Sequence, residues 1–307
     1  MSKKIAFVYP GQGAQKVGMG QDFYEQFPEA KAEIDLAAEV TGIDLTKILF
    51  EENDQINQTE FTQLALVAIC SAMTNVIRNK GIEASMTGGL SLGEYSALRA
   101  NGALNAEDVY KLIRMRGKFM QESSPDVEGG MSAIVGLDLA TIEEVCNGID
   151  GVQPANLNCP GQVVISGEKA AVVKAGEILA EKGARKVVPL NVSGAFHSHL
   201  MKEAGVNLAK ELESVQFNDM KFPYCANANA QIITDKNQIK DLLIKQVDSP
   251  VRWEESVRNM IADGVDLFIE IGPGKTIAGF LKKIDPTAVC INISTVEDLA
   301  KLDGINE

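Results

Sequence analysis

Residues 87–98 read TGGLSLGEYSAL and place Ser91 between Gly89 and Gly93. A Gly-x-Ser-x-Gly stretch exposes the serine oxygen where a strand turns sharply into a helix, and side chains at the two glycine positions would collide there. From Leu92 onward the sequence is typical of a helix with an apolar face. The preceding residues are weak strand formers, because two glycines disfavour a strand interior. The pattern arises by chance in about one chain of this length in ten, so a candidate nucleophile needs partners elsewhere in the chain.

The composition indicates a globular protein and argues against two kinds of partner. The chain has 307 residues, of which 45% are hydrophobic and 23% charged, enough for a large buried core. No apolar run approaches the ~20 residues that cross a bilayer, and the N-terminal apolar stretch is too short for a signal peptide. We therefore expect a cytoplasmic protein without a membrane partner. Acidic residues outnumber basic ones by 42 to 29, and the net charge of −13 argues against nucleic acid as a partner.

The cysteines and histidines limit the chemistry further. The five cysteines include no Cys-x-x-Cys pair, which is the usage of a reducing compartment with buried thiols. The two histidines are His197 and His199. A metal site built from histidines is therefore not expected, and a histidine base would have to be one of these two.

Strand and helix patterns alternate along most of the chain. Residues 3–10 (KKIAFVYP) have the pattern of an opening strand, and residues 27–41 and 61–79 have helical patterns. The second helix is apolar on most sides, so we expect it to be buried. Residues 265–272 (VDLFIEIG) and 288–293 (AVCINI) are short apolar runs, as in parallel strands covered on both faces. This alternation predicts an α/β core.

One internal segment follows a different order. The patterns in residues 126–191 run β-α-β-β-α-β, the ferredoxin-like arrangement. They follow SSPDVEGG (123–130), a polar stretch with Gly and Pro that suits a domain crossing. We predict a small domain at residues 126–191, inserted into a larger α/β domain formed by residues 1–125 and 192–307. The larger domain resumes with a predicted helix at residues 196–215.

The glycine-rich stretch YPGQGAQ (9–15) directly follows the first strand, and three interpretations stay open. It could be a phosphate loop, although it lacks the Gly-Lys-Ser/Thr ending of a P-loop and the third glycine of a dinucleotide fingerprint. It could bring the Gln12 amide or a backbone N–H close to an oxyanion. It could also be a plain strand-to-helix turn.

Two pairs of side chains offer partners for the serine. SGAFHSHLM contains His197 and His199, and RMRGKFM contains Arg114 and Arg116. The members of each pair are two residues apart on a predicted helix, so they point to nearly opposite sides and only one of each pair could meet Ser91. A histidine would serve as the base for a serine nucleophile. A buried arginine would bind both oxygens of a carboxylate with its planar fork.

Taken together, these motifs resemble the malonyl-CoA:acyl carrier protein transacylases, the acyltransferases that load malonyl units for bacterial fatty acid synthesis. The resemblance covers essentially the whole chain. It rests on seven stretches in the order and spacing of the family: PGQGAQ, GLSLGEYSAL, RGKFMQ, NCPGQVVISG, GAFHSHLM, SPVRW and EIGPGK. It implies a hydrolase-like α/β domain with a parallel-sheet core that carries a ferredoxin-like insertion, in agreement with the element order above.

The resemblance also implies the principal roles. Ser91 is the nucleophile and forms a malonyl ester, and His197, which is followed by SHLM, is its general base. Arg116, the arginine before the glycine of RGKFMQ, pairs with the malonyl carboxylate. His199 falls where the family has no catalytic histidine, so we expect it at the surface.

Further positions match supporting roles. Gln12 lies by the oxyanion hole, which the backbone N–H of Leu92 completes, and Gln246 orients the histidine ring in place of an aspartate. Phe196 matches the branch of the family that favours malonyl over methylmalonyl, a steric preference worth ~1–3 kcal/mol. Leu90 stands where many members have histidine; since the base comes from elsewhere in the chain, we expect little loss.

The implied activity is a ping-pong transfer through a covalent intermediate, without a cofactor or a metal. We expect the enzyme to be a monomer. Its expected partners are malonyl-CoA and acyl carrier protein. Carrier proteins of this kind are acidic and this chain is acidic overall, so docking requires a local basic patch. KGARK, with Lys182, Arg185 and Lys186, is the candidate patch, and a solvated turn is an equally good interpretation.

Two rival functions follow from the same residues. A serine esterase or thioesterase would share Ser91 and His197 but would have no use for an arginine that binds a free carboxylate. A non-catalytic module that binds a carrier protein would form no acyl ester on the serine.

Overall fold

The computed structural model describes residues 3–123, 126–192 and 194–305. Ser124 and Pro125 of the predicted domain crossing and Ser193 of the histidine motif lie outside these ranges. The strands of the described residues are β1 Ile5–Tyr9, β2 Met86–Gly89, β3 Gly129–Val135, β4 Val152–Cys159, β5 Gln162–Glu168, β6 Lys186–Pro189, β7 Tyr224–Cys225, β8 Ile232–Ile233, β9 Leu267–Ile271 and β10 Val289–Ile293. The α-helices are α1 Gln21–Gln26, α2 Pro28–Thr41, α3 Leu45–Phe50, α4 Thr59–Asn79, α5 Gly93–Ala100, α6 Ala106–Glu122, α7 Leu139–Asn147, α8 Lys169–Glu181, α9 Lys202–Glu211, α10 Ile239–Asp248, α11 Trp253–Ala262 and α12 Thr276–Ile284.

A six-stranded sheet forms the larger unit. Its strand order is β10-β9-β1-β2-β7-β8, and all neighbours are parallel except β8, which is antiparallel to β7. Alternate residues of β1 enter different cores: Phe7 packs in the cluster that contains α2, α4 and α6, whereas Val8 packs in the cluster that contains α11 and α12. The sheet is thus covered on both faces, which confirms the predicted α/β core.

Helix α4 is the buried helix that the sequence predicted. It is long and apolar enough to cross a membrane by length and composition alone, so the expectation that no apolar stretch reaches this length is wrong. In the folded chain, 83% of its most apolar 18-residue window is buried. The core of the larger unit therefore accounts for its composition.

A second sheet forms the smaller unit. Its strand order is β4-β5-β3-β6 and every neighbouring pair is antiparallel. With α7 and α8 the chain order is β-α-β-β-α-β, and apolar side chains such as Ile134, Ile165 and Leu179 form a separate core between the helices and the sheet. Two backbone hydrogen bonds tie β4 to the larger unit: Val251 N–H donates to the Ala155 carbonyl (2.8 Å), and Leu157 N–H donates to the Val251 carbonyl (2.9 Å).

The predicted helix over residues 196–215 is wrong at its start. Residues His199–Met201 form a 3-10 turn, and the α-helix begins only at Lys202. Ser198 caps the start of this turn: its hydroxyl accepts a hydrogen bond from the Leu200 N–H (3.3 Å). His197 therefore lies in a loop, with a left-handed backbone (φ 57°).

Candidate active site

Ser91 lies at a strained turn between β2 and α5. Its φ of 55° is in the left-handed region that non-glycine residues rarely adopt. A Cβ atom on Gly89 would lie 2.0 Å from the Gly93 backbone, and one on Gly93 would lie 2.5 Å from the Tyr9 carbonyl oxygen. Gly89 and Gly93, the two glycines of the serine motif, are thus required for the close approach of α5 to β1 and β2.

Asn227 holds this turn from outside the motif. It follows β7, the parallel neighbour of β2, so the two strands end at the same edge of the sheet. Its Oδ1 accepts from the Ser91 N–H (2.7 Å) and its Nδ2 donates to the Gly89 carbonyl (2.7 Å). Asn227 is not among the site residues that the sequence predicts.

The serine and His197 form a hydrogen-bonded pair. Ser91 Oγ and His197 Nε2 are 2.7 Å apart, and His197 Nδ1 lies 2.9 Å from the Gln246 backbone carbonyl. A carbonyl can only accept, so Nδ1 carries the proton and Nε2 is free to accept the serine hydroxyl proton. Burial, and secondarily the Arg116 charge, lower the pKa of His197 to about 4, while the hydrogen bond to Gln246 acts against this shift. The neutral imidazole that a base requires is therefore the stable form at neutral pH.

Arg116 reaches the same serine from α6. It is 1% exposed, and its Nη2 donates to Ser91 Oγ (3.1 Å) and to Gln246 Oε1 (2.9 Å), while Nη1 donates to Gln63 Oε1 (2.6 Å). Arg114, two residues earlier, points away and donates to Glu60. The hydrogen-bond partners of Arg116 among the described residues are neutral, so no carboxylate of the chain binds its guanidinium there.

A buried carboxylate, Glu94, lies behind these groups. Its Oε2 accepts from Gln246 Nε2 (2.7 Å) and from the Asn227 N–H (3.1 Å). Burial raises the pKa of its carboxyl to about 7, although both hydrogen bonds and the Arg116 charge act to lower it. Glu94 is part of the serine motif, but on sequence alone it is indistinguishable from an ordinary residue of the first helical turn.

The serine opens into a cavity of about 460 Å³. Its lining residues come from the larger and the smaller unit; they include Gln12, Gln63, Leu90, Ser91, Met120, Met131, Asn156, Leu190, Phe196 and His197. Gln12 therefore faces the same space as the serine, and its Nε2 donates to Thr59 Oγ1 (3.2 Å). Leu92 follows the serine as the first residue before α5 and is buried.

Other sequence-predicted residues lie away from the cavity. His199 is exposed, as expected, and its backbone N–H donates to Gln153 Oε1 (3.1 Å). Lys182, Arg185 and Lys186 are exposed between the end of α8 and the start of β6, the edge strand of the smaller sheet. Within the described ranges no cluster of metal-ligating side chains occurs. The cysteines are free, four of them buried and Cys290 half-buried.

The fold and the site together define a class. A serine that lines a cavity at a strand-to-helix turn, a histidine beside it and an α/β sheet beneath it are the parts of a serine acyl-transfer enzyme. A family model described as an acyl transferase domain matches residues 6–284, so the chain belongs to the acyl transferase family.

Its relatives narrow the class. The malonyl CoA-acyl carrier protein transacylase of Bacillus subtilis (strain 168) is 44% identical over 301 residues, which cover 96% of this chain and 95% of that protein. The protein of the same name from Staphylococcus aureus (strain MRSA252) is 41% identical, with 96% and 97% covered. These relatives confirm the resemblance drawn from the seven motifs.

Solved structures of this kind superpose closely. MCAT from Streptococcus pneumoniae gives a TM-score of 0.93 at 44% identity and covers 97% of this chain and 99% of its own. A malonyl-transacylase solved in complex with its type II PKS acyl-carrier protein in the holo form gives a TM-score of 0.94 at 37% identity, with 97% and 98% covered.

Proposed function

We propose that this protein transfers the malonyl group from malonyl-CoA to the phosphopantetheine thiol of acyl carrier protein, and so supplies fatty acid biosynthesis. The observation that carries the proposal is the position of Ser91 Oγ, within hydrogen-bond distance of both His197 Nε2 and Arg116 Nη2 (2.7 and 3.1 Å). A nucleophile beside a buried cation suits an acyl group that bears its own carboxylate. The names of the relatives, and the carrier-protein complex of one structural neighbour, support the same substrates.

In the first half-reaction, Ser91 Oγ attacks the thioester carbonyl while its proton moves to His197 Nε2. The Gln246 carbonyl accepts from Nδ1–H and stabilises the imidazolium that forms. The Gln12 amide and the Leu92 N–H are the proposed donors to the oxyanion. When the intermediate collapses, the carbon–sulfur bond breaks and His197 returns the proton to the departing CoA sulfur, which leaves a malonyl-serine ester.

The second half-reaction reverses these roles. The carrier-protein thiol gives its proton to His197 Nε2 and attacks the ester carbonyl. The bond from that carbon to Ser91 Oγ breaks, and the oxygen takes the proton back from His197. The sum is one thioester broken and one formed, so no cofactor or metal enters the proposed reaction.

Three further residues tune this site in the proposal. Arg116 binds the malonyl carboxylate with its planar fork. Phe196, which lines the cavity, leaves no room for the extra methyl of methylmalonyl. Leu90 replaces a polar neighbour of the serine with an apolar wall and does not take part in proton transfer.

The remaining assignments extend the proposal beyond the site. The β4-β5-β3-β6 unit is proposed as a ferredoxin-like insertion at residues 126–191 within a hydrolase-like domain of residues 1–125 and 192–307. Lys182, Arg185 and Lys186 are the proposed contact for an acidic carrier protein; their exposure supports this role. The enzyme is proposed to act as a cytoplasmic monomer.

Intact-mass measurement after incubation with malonyl-CoA tests the proposed function. The wild-type chain should gain one malonyl group and lose it when holo acyl carrier protein is added, while Ser91→Ala should gain none. No added mass on the wild-type chain would exclude an enzyme and favour a binding module. Loss of the malonyl group to water at the same rate with and without carrier protein would favour an esterase.

A further inference from the structure

Glu94 is a fully buried carboxylate that neither half-reaction uses directly. It belongs to α5, and both hydrogen bonds to Oε2 come from the groups that surround the nucleophile, Gln246 and Asn227. Its Oε1 has no hydrogen-bond partner among the described residues. Burying a carboxylate is costly, so its presence behind the nucleophile calls for a reason connected with the site.

The side-chain amide of Gln246 supplies that reason. A glutamine amide can face two ways, and its neighbours decide which end points where. Here Nε2 faces two acceptors, Glu94 Oε2 (2.7 Å) and the Ser91 carbonyl (3.0 Å), and Oε1 faces the Arg116 donor Nη2 (2.9 Å). The carboxylate makes the shorter of the two contacts to Nε2 and is the stronger acceptor.

The orientation of this amide determines how Arg116 is held. If Gln246 turned around, its NH₂ group would face a guanidinium that can only donate. The two donors would repel, and Arg116 Nη2 would be displaced from its place 3.1 Å from Ser91 Oγ. A direct ion pair between Arg116 and a carboxylate would also hold the guanidinium, but it would occupy the fork that the substrate needs.

We propose that Glu94 is a positioning residue for substrate selection: it fixes the Gln246 amide so that the amide oxygen holds Arg116 in place for a substrate carboxylate. This inference rests on the proposed function. Glu94 thus supports Arg116 through the Gln246 amide, and no carboxylate among the described residues binds the guanidinium directly.

Two variants of similar volume separate positioning from general stability. Glu94→Met removes both acceptor oxygens and leaves the Gln246 amide with a weaker preference for the orientation in which Oε1 faces Arg116. Glu94→Gln keeps one acceptor oxygen for Gln246 and Asn227 and places its NH₂ at the oxygen that has no partner. Second-order rates of Ser91 acylation are measured by intact mass with malonyl-CoA and with acetyl-CoA, which lacks the carboxylate, and folding is checked by thermal unfolding.

The ratio of the malonyl rate to the acetyl rate is the readout, because a purely structural defect would lower both rates alike. Glu94→Met should lower this ratio about tenfold or more, and Glu94→Gln should restore it to within about threefold of wild type. A folded Glu94→Met variant with an unchanged ratio would overturn the role of Glu94. If Glu94→Met does not fold, a folded Glu94→Gln variant that has lost the preference would overturn it equally.

Failure of the proposed function looks different. In that case the wild-type chain itself gains no malonyl mass. Equal losses for both substrates in a folded Glu94 variant, on a wild-type background that is acylated normally, would contradict the positioning role alone.

Discussion

Arg116 offers the sharpest prediction, because its neighbour Arg114 on the same helix provides a matched control. In Arg116→Ala, the substrate carboxylate loses two charge-assisted hydrogen bonds from a buried fork. Each is worth about 1.5–3 kcal/mol, so kcat/KM for malonyl transfer should fall by about 10²- to 10⁴-fold. Transfer of acetyl, which never uses the fork, should fall much less, and the preference for malonyl should disappear.

The assay is transfer from malonyl-CoA or acetyl-CoA to holo acyl carrier protein, followed by mass spectrometry of the carrier. Arg114→Ala should leave the preference unchanged, since Arg114 donates to Glu60 and to the Thr41 carbonyl, on the far side of α6. Arg116→Lys should be intermediate, because one ammonium cannot reproduce a planar fork that also bonds Gln63. A folded Arg116→Ala variant with wild-type preference would refute the role of the guanidinium.

Two further predictions follow from the turn and the base. Gly93→Ala should prevent stable folding or lower the free energy of unfolding by several kcal/mol, because its Cβ would lie 2.5 Å from a backbone oxygen of β1. Gly279→Ala in α12, where an added Cβ meets nothing within 4 Å, should be neutral or stabilising by about 0.5–1 kcal/mol in thermal or denaturant unfolding. Equal stability of the two variants would contradict the claim that a side chain at position 93 clashes with the backbone of β1. The pKa of His197 is lowered from 6.5 to about 4, so the base stays neutral as the pH falls from 8 to 5 and protonates only below that. The acylation rate should therefore stay constant down to about pH 5, and it is measured in the wild type and in Glu94→Gln. A half-maximal rate near pH 6.5 in both proteins would show that burial does not lower the pKa of the imidazole.

The same His197 shift has a consequence for stability with a definite sign. The unfolded histidine takes up its proton near pH 6.5 and the folded one only near pH 4. The stability contributed by the neutral, buried ring is complete above the unfolded pKa and is lost as the pH falls through the folded one. Glu94 has the opposite effect on stability, because its folded pKa of about 7 lies above the ordinary 4.5. The stability contributed by its buried, protonated carboxyl group is complete below the unfolded pKa and is lost as the pH rises through 7.

Periodicity and local motifs predict much of this fold because their causes are local. The alternation of apolar strands and amphipathic helices predicts the parallel sheet, and the Gly-x-Ser-x-Gly spacing predicts the turn at Ser91. The helical separation of Arg114 and Arg116 likewise predicts their divergence, since both lie on α6. For the histidines, the predicted divergence is found, but the predicted cause, a shared helix, is wrong. His197 meets the serine and His199 is exposed, yet His197 lies in a loop rather than on a helix.

Contacts made by tertiary packing could not be predicted in this way. Asn227 holds both sides of the serine turn, but it lies in ANANA, whose short alternation of Ala and Asn indicates no partner for either asparagine, and β7 before it is only two residues long. Its position follows from the pairing of β7 with β2 across a long sequence separation. Glu94 has a strong local signal, but that signal is helical and says nothing about the amide of Gln246, which reaches it from α10.

Main-chain atoms form one part of the contact between the two units. Val251 bonds to Ala155 and Leu157 of β4 through its own N–H and C=O, and these two hydrogen bonds persist when the side chains at the three positions change. Met131 and Asn156 line the cavity of the nucleophile from the smaller sheet, and Met131 also packs into the core of the larger unit. Because the smaller unit supplies one wall of the cavity and the larger unit carries Ser91, substitutions on the smaller sheet can change the shape of the acyl-binding space while the nucleophile itself is retained.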